Sequence, residues 1–572
     1  MPLNPAKQCT RFMNLSLQNK PPARNELVNS EADDGDAVSA ASRMPTVDDY
    51  AKAMRRRNKQ FLAGGALLAA VVAILFAGFG METVLPPVIL LLMLAAPILL
   101  WRYSRLPLYV TLAAACLFEL SFVTGLDGKL FADSLTDRVP FFWNVNTIFH
   151  VYAHADFKAV PLNLFEIFML VAGTCSLLRT VYSGTAGLRG GPLLVPISIY
   201  LMFVVMGWVN GILTGGDFKI SLQEVRPQFY FGLAYLLAVN IVREKRDIHR
   251  LLWATVICIG IKGILLTFRR YVTLHGLPLP DQGVGAHEDA FFMDAFLLLL
   301  LSLSLCRALP KLQRLMWALL PCVALADLVL NRRAATAAMV IAIPILMLAA
   351  YQALPDRRRF IAGLAAVMAV SFSIYYPLFK NSDNAFAQPA RAIKSNFQPD
   401  TRDASSNASR DNENADLMAT IHSAPVQGYG YGRPFFQLIP MDDVMRIYDL
   451  EPFIPHNQIL WIWERVGSFG FLAFWMMISS IIIFAGQTVR AVRADGLTKA
   501  VGIFALLMTA MLVLFGLLDL QLSNFRDVLF VGIWAGVLSA LPTLKDSVEV
   551  RQTAAKLPVK RPVTKRRVGA AR

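Results

Sequence analysis

The chain is poor in charge and in cysteine. Charged residues make up 17% of its 572 residues, against about a quarter in soluble domains, which excludes a soluble globular fold as the main architecture. The six cysteines are Cys9, Cys116, Cys175, Cys258, Cys306 and Cys322, with no CxxC among them. All but Cys9 lie in or at the end of apolar runs, where a thiol behaves as a small hydrophobe, so neither a metal framework nor a disulfide scaffold is readable. No signal-peptide pattern opens the chain. Residues 1–59 are polar, contain EADDGD and SAAS, and read as a disordered tail. No internal repeat is visible, which disfavours transporter folds built from repeats.

What is present is long apolar runs, with 56% hydrophobic residues overall. A spanning helix needs about 20 apolar residues. Candidate spans fall near 60–80, 84–101, 106–124, 160–178, 191–213, 227–242, 251–268, 290–306, 314–330, 334–352, 359–379, 457–486, 499–518 and 526–543. The expected fold is an all-α polytopic membrane protein with about 12–14 transmembrane helices, with 314–330 and 334–352 the least clearly separated pair. A spanning region 60–543 would then lie between the tail 1–59 and a basic tail 544–572. The net charge of +15 does not point to nucleic acid, because the Lys and Arg cluster between apolar runs, as membrane orientation demands.

Those clusters also set the expected topology. Arg55, Arg56, Arg57 and Lys59 place the N-terminus in the cytoplasm. Alternation then puts Arg102 and Arg105, Arg179 and Arg189, Arg243 to Arg250, Arg307 to Arg314, Arg357 to Arg359, Arg490 and Arg493, and the C-terminal tail on the same side. Two long loops, about 125–159 and 380–455, face outward. Five ionisable residues lie within spans: Glu119, Glu166, Lys262, Asp294 and Asp327. Such residues are costly in a membrane. All fall in the outward halves, which predicts either a wet cavity open to that side or pairing between helices. Arginines at the outer mouths run against the positive-inside rule: Arg226 in EVRPQFYF, Arg332 and Arg333 in NRRAATAAM, and Arg269 and Arg270 after the seventh span. An anionic ligand is the natural reason, since guanidinium grips phosphate bidentately. A salt bridge to Asp327 or a loop carboxylate is the competing one.

The large loop ends in HNQILWIWERVGSFG, residues 456–470. His456, Leu460, Trp463, Glu464 and Gly467 recur at helical spacing, and Asn457 follows His456 at the mouth. Upstream, Arg410 leads into DNENADLMATIHSAPVQGYGYGRPF. The order arginine, helix, P-x-x-G-x-G, then H-N-x-x-L-x-x-x-E-x-x-G-x-x-G resembles the O-antigen ligase and polymerase superfamily of bacterial inner membranes, over roughly 190–485. Arg226 and the N-R-R-A-A-T-A-A run resemble the family's two other arginine sites. Where members more often show S-R-G, this chain has Asn331-Arg332-Arg333-Ala334, which leaves open whether Arg332 or Arg333 is the equivalent.

The resemblance implies a chemistry. Members take a glycan from undecaprenyl diphosphate at the periplasmic face and transfer it to a hydroxyl on another glycan or on lipid A core. Carried over, Arg226, Arg332 and Arg333 would stabilise the diphosphate leaving group, and His456 would accept the hydroxyl proton. Arg410, Asn457, Glu464, Tyr429, Tyr431 and Arg433 would serve substrate binding, with Glu464 pairing to Arg465 or another helix. The transfer would invert the anomeric centre and need no metal or cofactor. Partners would be the lipid-linked donor, the acceptor, and chain-length regulators or export proteins, with no nucleic acid. The resemblance also implies the inner membrane, with both termini cytoplasmic. Polymerase is preferred to ligase. A flippase of lipid-linked glycan is the rival from another class, and a sensory or structural component is a third.

Other motifs are set aside. His150 and His154 at i, i+4 near Asp156 have zinc-like spacing, but an amphipathic interfacial segment is the simpler reading. GYGYG follows no strand and reads as a turn. His287-Glu288-Asp289 receives no role.

Overall fold

A computed structural model describes residues 95–119, 139–148, 162–183, 188–275, 284–382, 384–395, 397–399, 401–439, 452–491 and 495–544, with 56, 91 and 450. Apart from Arg56 these belong to one compact unit beginning at Leu85. The expectations for the tail 1–59, the span 60–80, most of 84–101, most of the loop 125–159 including His150 and His154, and the basic tail fall outside the described residues.

The architecture is all-helical: among the described residues there is no strand, only an isolated bridge between Asn144 and Asn163. In chain order the helices are α1 (Leu106–Leu117), α2 (Leu164–Ser183), α3 (Leu194–Leu213), α4 (Phe218–Ile241), α5 (Lys245–Phe268), α6 (Asp289–Leu305) and α7 (Pro310–Leu330). Then come α8 (Arg333–Ala353), α9 (Arg358–Phe379), α10 (Gln388–Ser395), α11 (Thr401–Ser423), α12 (Gln458–Ala491), α13 (Gly496–Gly516) and α14 (Phe525–Ala540). Eight of them, α3, α5, α7, α8, α9, α12, α13 and α14, are long and apolar enough to cross a membrane. The protein is an all-α polytopic membrane protein.

Helix starts follow local chemistry. Asp217 accepts the Ile220 N–H at the head of α4, which therefore begins nine residues before the apolar run expected at 227. Asn163 and Glu166 form a reciprocal capping box at α2, at 2.8 and 2.9 Å. Between α7 and α8 only Asn331 and Arg332 lie outside the helices. Asn331 takes φ 52°, the left-handed conformation that asparagine tolerates at a helix end. The two spans are therefore separate helices joined by a two-residue turn.

Packing ranks the helices. The apolar windows of α14 and α13 are 94% and 78% buried within the protein, that of α9 only 6%, so α13 and α14 form the centre and α9 the periphery. Contacts also define two ends of the bundle. At one, Lys245 pairs with Asp495, Arg357 donates to the Leu305 carbonyl, and Lys499 to that of Ala353. The other carries the α7–α8 turn, the α13–α14 loop and the start of α12.

Of the five intramembrane charges, Glu119 pairs with Lys262 and Glu166 with Arg226, whereas Asp294 and Asp327 are two neighbouring carboxyls, and none of the five is exposed. Lys262 of α5 contacts Glu119, after α1, and Asp289 of α6. Arg526 of α14 is fully buried, binding Glu288 at 3.1 Å and Asp289 at 2.7 Å. It also donates to the carbonyls of Ala115 and Cys116 at the end of α1, acceptors that a helix terminus leaves without internal partners. Asp294 is buried within electrostatic reach of Asp327. A packed network thus stands where an open cavity was one expectation; buried charges persist only with such compensation.

Candidate functional site

The site is assembled at the end of the bundle bearing the α7–α8 turn. Asn457 caps α12, its side-chain oxygen accepting the Leu460 N–H. That cap holds His456 immediately outside the helix, with its side chain 43% exposed. The polar helix α11 packs alongside and presents Glu413 to it. One Glu413 oxygen accepts the His456 main-chain N–H at 2.5 Å, the other lies 2.8 Å from His456 Nδ1. One turn's edge over, Asn457 donates to Asn414 at 3.0 Å. Two adjacent residues of α11 thereby clasp two adjacent residues at the mouth of α12. Since an ionised carboxylate only accepts, Nδ1–H is the donor and Nε2 is left as the basic position.

Charge converges on this pair. Asp519, in the α13–α14 loop, is 3% exposed. His287 Nδ1 lies 3.6 Å from its carboxylate, and the charges of Arg332 and His456 also reach it. Burial alone would raise the Asp519 carboxyl; His287, Arg332 and His456 together hold it far below the usual range. For His456, burial lowers the imidazole. The hydrogen bond and charge of Glu413, helped by Asp519, outweigh that and raise it above its ordinary value, against an opposing push from Arg410. Arg332 is lowered first by burial, with Arg410 repelling it and Asp519, Glu288 and Asp289 attracting it.

His456 and Asn457 are thus clasped by Glu413 and Asn414, the charge of Arg410 reaches His456, and that of Arg332 joins them through Asp519, which His287 also approaches. Arg333 points elsewhere: it reaches the hydroxyls of Ser395 on α10 and Ser406 on α11 at 3.4 and 3.3 Å. Arg226 is held bidentately by Glu166, at 2.8 and 3.2 Å, with Tyr230 donating to the same carboxylate. Tyr230 in turn packs edge-on against Phe525, the neighbour of Arg526.

The GYGYG segment lies two turns along α12 from His456. Arg465, fully buried, sits between Glu224 at 2.8 Å and Glu464 at 3.1 Å. It donates to the carbonyls of Gly430, Arg433 and Phe453 at 2.7–2.8 Å. Glu464, expected among the substrate-binding residues with a pairing to Arg465 or another helix as its local role, is buried and pairs with Arg465. Tyr431 is fully buried, its ring edge-on to Trp461, so it is not at the surface as a glycan contact requires. Arg433 stacks over Tyr429 at 3.7 Å and donates to Thr214. The glycines make this docking possible. Gly467, with φ 70° and ψ −179°, interrupts α12, and a Cβ there would run into the Val426 carbonyl; one on Gly211 of α3 would run into Tyr431.

The sequence reading missed Glu413, Asp519 and His287. Glu413 sits in DNENAD, where its charge looked like ordinary loop polarity; its place three residues after Arg410 was the one signal available. Neither His287 nor Asp519 stands in a sequence motif that marks it.

The fold and the site define a multi-pass membrane protein with a histidine–carboxylate pair and two arginines at one end of its helix bundle. Residues 315–475 match the family model described as O-Antigen ligase, which places this stretch in the O-antigen ligase and polymerase superfamily. The match indicates glycan transfer of that family's kind, by a glycosyltransferase-type enzyme. It contains Arg332, Arg410, Glu413, His456 and Asn457; Arg226, His287 and Asp519 lie outside it. No curated protein matches the chain.

Proposed function

We propose that the protein transfers a glycan from undecaprenyl diphosphate to a hydroxyl acceptor at the periplasmic face of the bacterial inner membrane, polymerising repeat units of an exported polysaccharide. The observation that carries this reading is the Glu413–His456 pair, set beside Arg332 and Arg410. His456 Nε2 takes the proton as the acceptor oxygen attacks the anomeric carbon. The carbon–oxygen bond to phosphate breaks on the opposite face, and its electron pair leaves with the diphosphate, inverting the centre. Arg332 and Arg410 meet the charge that develops there, so no metal is required. Glu413 fixes the histidine tautomer and supports the imidazolium that forms. Arg332 is favoured over Arg333 because its charge reaches Asp519, which in turn acts on His456. Arg226, neutralised by Glu166, fits a positioning role better than direct contact. The periplasmic orientation rests on the basic residues gathered at the opposite end of the bundle.

Attachment of the glycan to lipid A core is a second reading, supported by the description of the matched family as ligase. Chain-length regulators or export proteins are further partners of the polymerase reading. His456→Ala at matched expression decides. Loss of a general base costs about 10²–10⁴-fold, so polymer or lipid A-linked glycan should vanish while lipid-linked units persist on the outer face. Which product disappears separates polymerase from ligase. Unchanged surface glycan would end the proposal, and donor trapped on the cytoplasmic side would favour a flippase.

A further inference from the structure

Beside the site lies a groove of about 510 Å³, within the usual range for ligand pockets. Its walls are the aromatic rings of Tyr429, Phe436 and Phe453, with Pro434, Pro452 and Gln437. Tyr429 and Phe436 meet edge-to-face at 5.4 Å. The two walls come from separate segments and are pinned from beneath by one group: the Arg465 guanidinium holds the carbonyls of Gly430 and Arg433 under one and that of Phe453 under the other. Further bonds fix the first wall, as Glu224 accepts the Gly432 N–H at 2.5 Å and Thr420 of α11 that of Phe436 at 2.8 Å. Phe435 donates to the Pro452 carbonyl at 3.0 Å, tying wall to wall. The groove is thus preformed, and a preformed site costs little ordering on binding.

We infer that this groove is a saccharide subsite that holds the acceptor glycan a short way from the point of transfer. The inference rests on the glycan-transfer reading. Three features select this occupant. Flat aromatic faces suit the apolar C–H faces of a pyranose, while Gln437 at the rim and the arginine over Tyr429 suit its hydroxyls. Phe453 precedes His456 by three residues, so its Cα lies within about 11 Å of that of His456, a distance that a short run of sugars bridges. The groove shares α11 with the site, since Glu413 faces His456 while Thr420 and Asp416, farther along, anchor the wall at Phe436, Leu438 and Ile439. A growing chain seated here would present its terminal hydroxyl to Nε2.

The test uses the full chain in lipid nanodiscs, in a His456→Ala background that cannot turn over. The probe is lipid-free oligosaccharide released by mild acid from the surface polysaccharide of the producing cells, titrated calorimetrically. Phe436→Ala removes a stacking ring and should weaken binding roughly fivefold. Gln437→Trp, at an exposed position, should fill the groove and weaken it at least as much. With His456 restored, both should raise the KM for acceptor more than that for lipid-linked donor. Unchanged affinity in both variants, or no binding to the parent, overturns the subsite. Surface glycan that survives His456→Ala overturns transfer instead, so the two failures are read on different instruments.

Discussion

At the scale of single residues, Glu413 is the instructive case. It raises His456, so at a given pH less of the imidazole is neutral, yet it also makes the neutral form the correct tautomer and a stronger base. The two effects separate under titration. Glu413→Gln removes the negative charge that favours the imidazolium, so the His456 pKa falls and the acid limb of the pH–rate profile moves to lower pH. The plateau rate should fall by on the order of tenfold, since the imidazolium formed in the reaction loses its counter-charge. A rate loss without a shift of the acid limb would show that Glu413 acts only by packing. The sign for stability is equally definite. A histidine raised in the folded state contributes stability that is present in full below its unfolded value near 6.5 and is lost as pH rises through the folded value. Half of this arrangement was legible: His456 and Asn457 stand at fixed spacing before a helix, Arg332 breaks the charge rule for its side, and Arg410 stands in the family-like order upstream. Glu413 and Asp519 were not, because their roles come from α11 and the α13–α14 loop folding onto the mouth of α12.

At the scale of elements, the glycine in the middle of α12 does most to shape the region. A helix interrupted at Gly467 opens its main chain to the Pro425–Tyr429 segment: Ser468 N–H reaches the Pro425 carbonyl and Tyr429 N–H that of Glu464, at 2.9 and 2.6 Å. Gly467→Ala would incur both a positive-φ, extended-ψ backbone that essentially only glycine adopts, about 1–3 kcal/mol, and a collision with Val426. A loss of ~3 kcal/mol or more is expected, read as a lowered thermal midpoint in detergent. A normal midpoint would mean that the loop moves away freely. Span positions were readable from apolar length, and the α7–α8 separation follows from the asparagine between them. The first turns of α4 and α5 were not, because Phe218–Val225 and Lys245–Arg250 mix polar with apolar residues and are helical through caps and packing rather than through apolar length.

At the scale of the molecule, charge is distributed with purpose. The Glu119–Lys262–Asp289–Arg526–Glu288 network ties α1, α5, α6 and α14 just beneath the site, and two of its carboxylates, Glu288 and Asp289, are among the charges that reach Arg332. The arginine of the candidate site is thus coupled to the innermost helix. It is also joined to two spans by a connection of two residues, which leaves no slack. Arg332 therefore cannot rise or sink without α7 and α8, and its depth is set by how those helices match the hydrocarbon around them. Mismatch costs fractions of a kcal/mol per Å, too little to unfold the bundle but enough to carry a guanidinium out of register with a phosphate that floats at headgroup level. In vesicles of graded acyl-chain length, transfer should peak sharply at one thickness while the thermal midpoint changes little, making the bilayer itself the ruler against which the donor is measured.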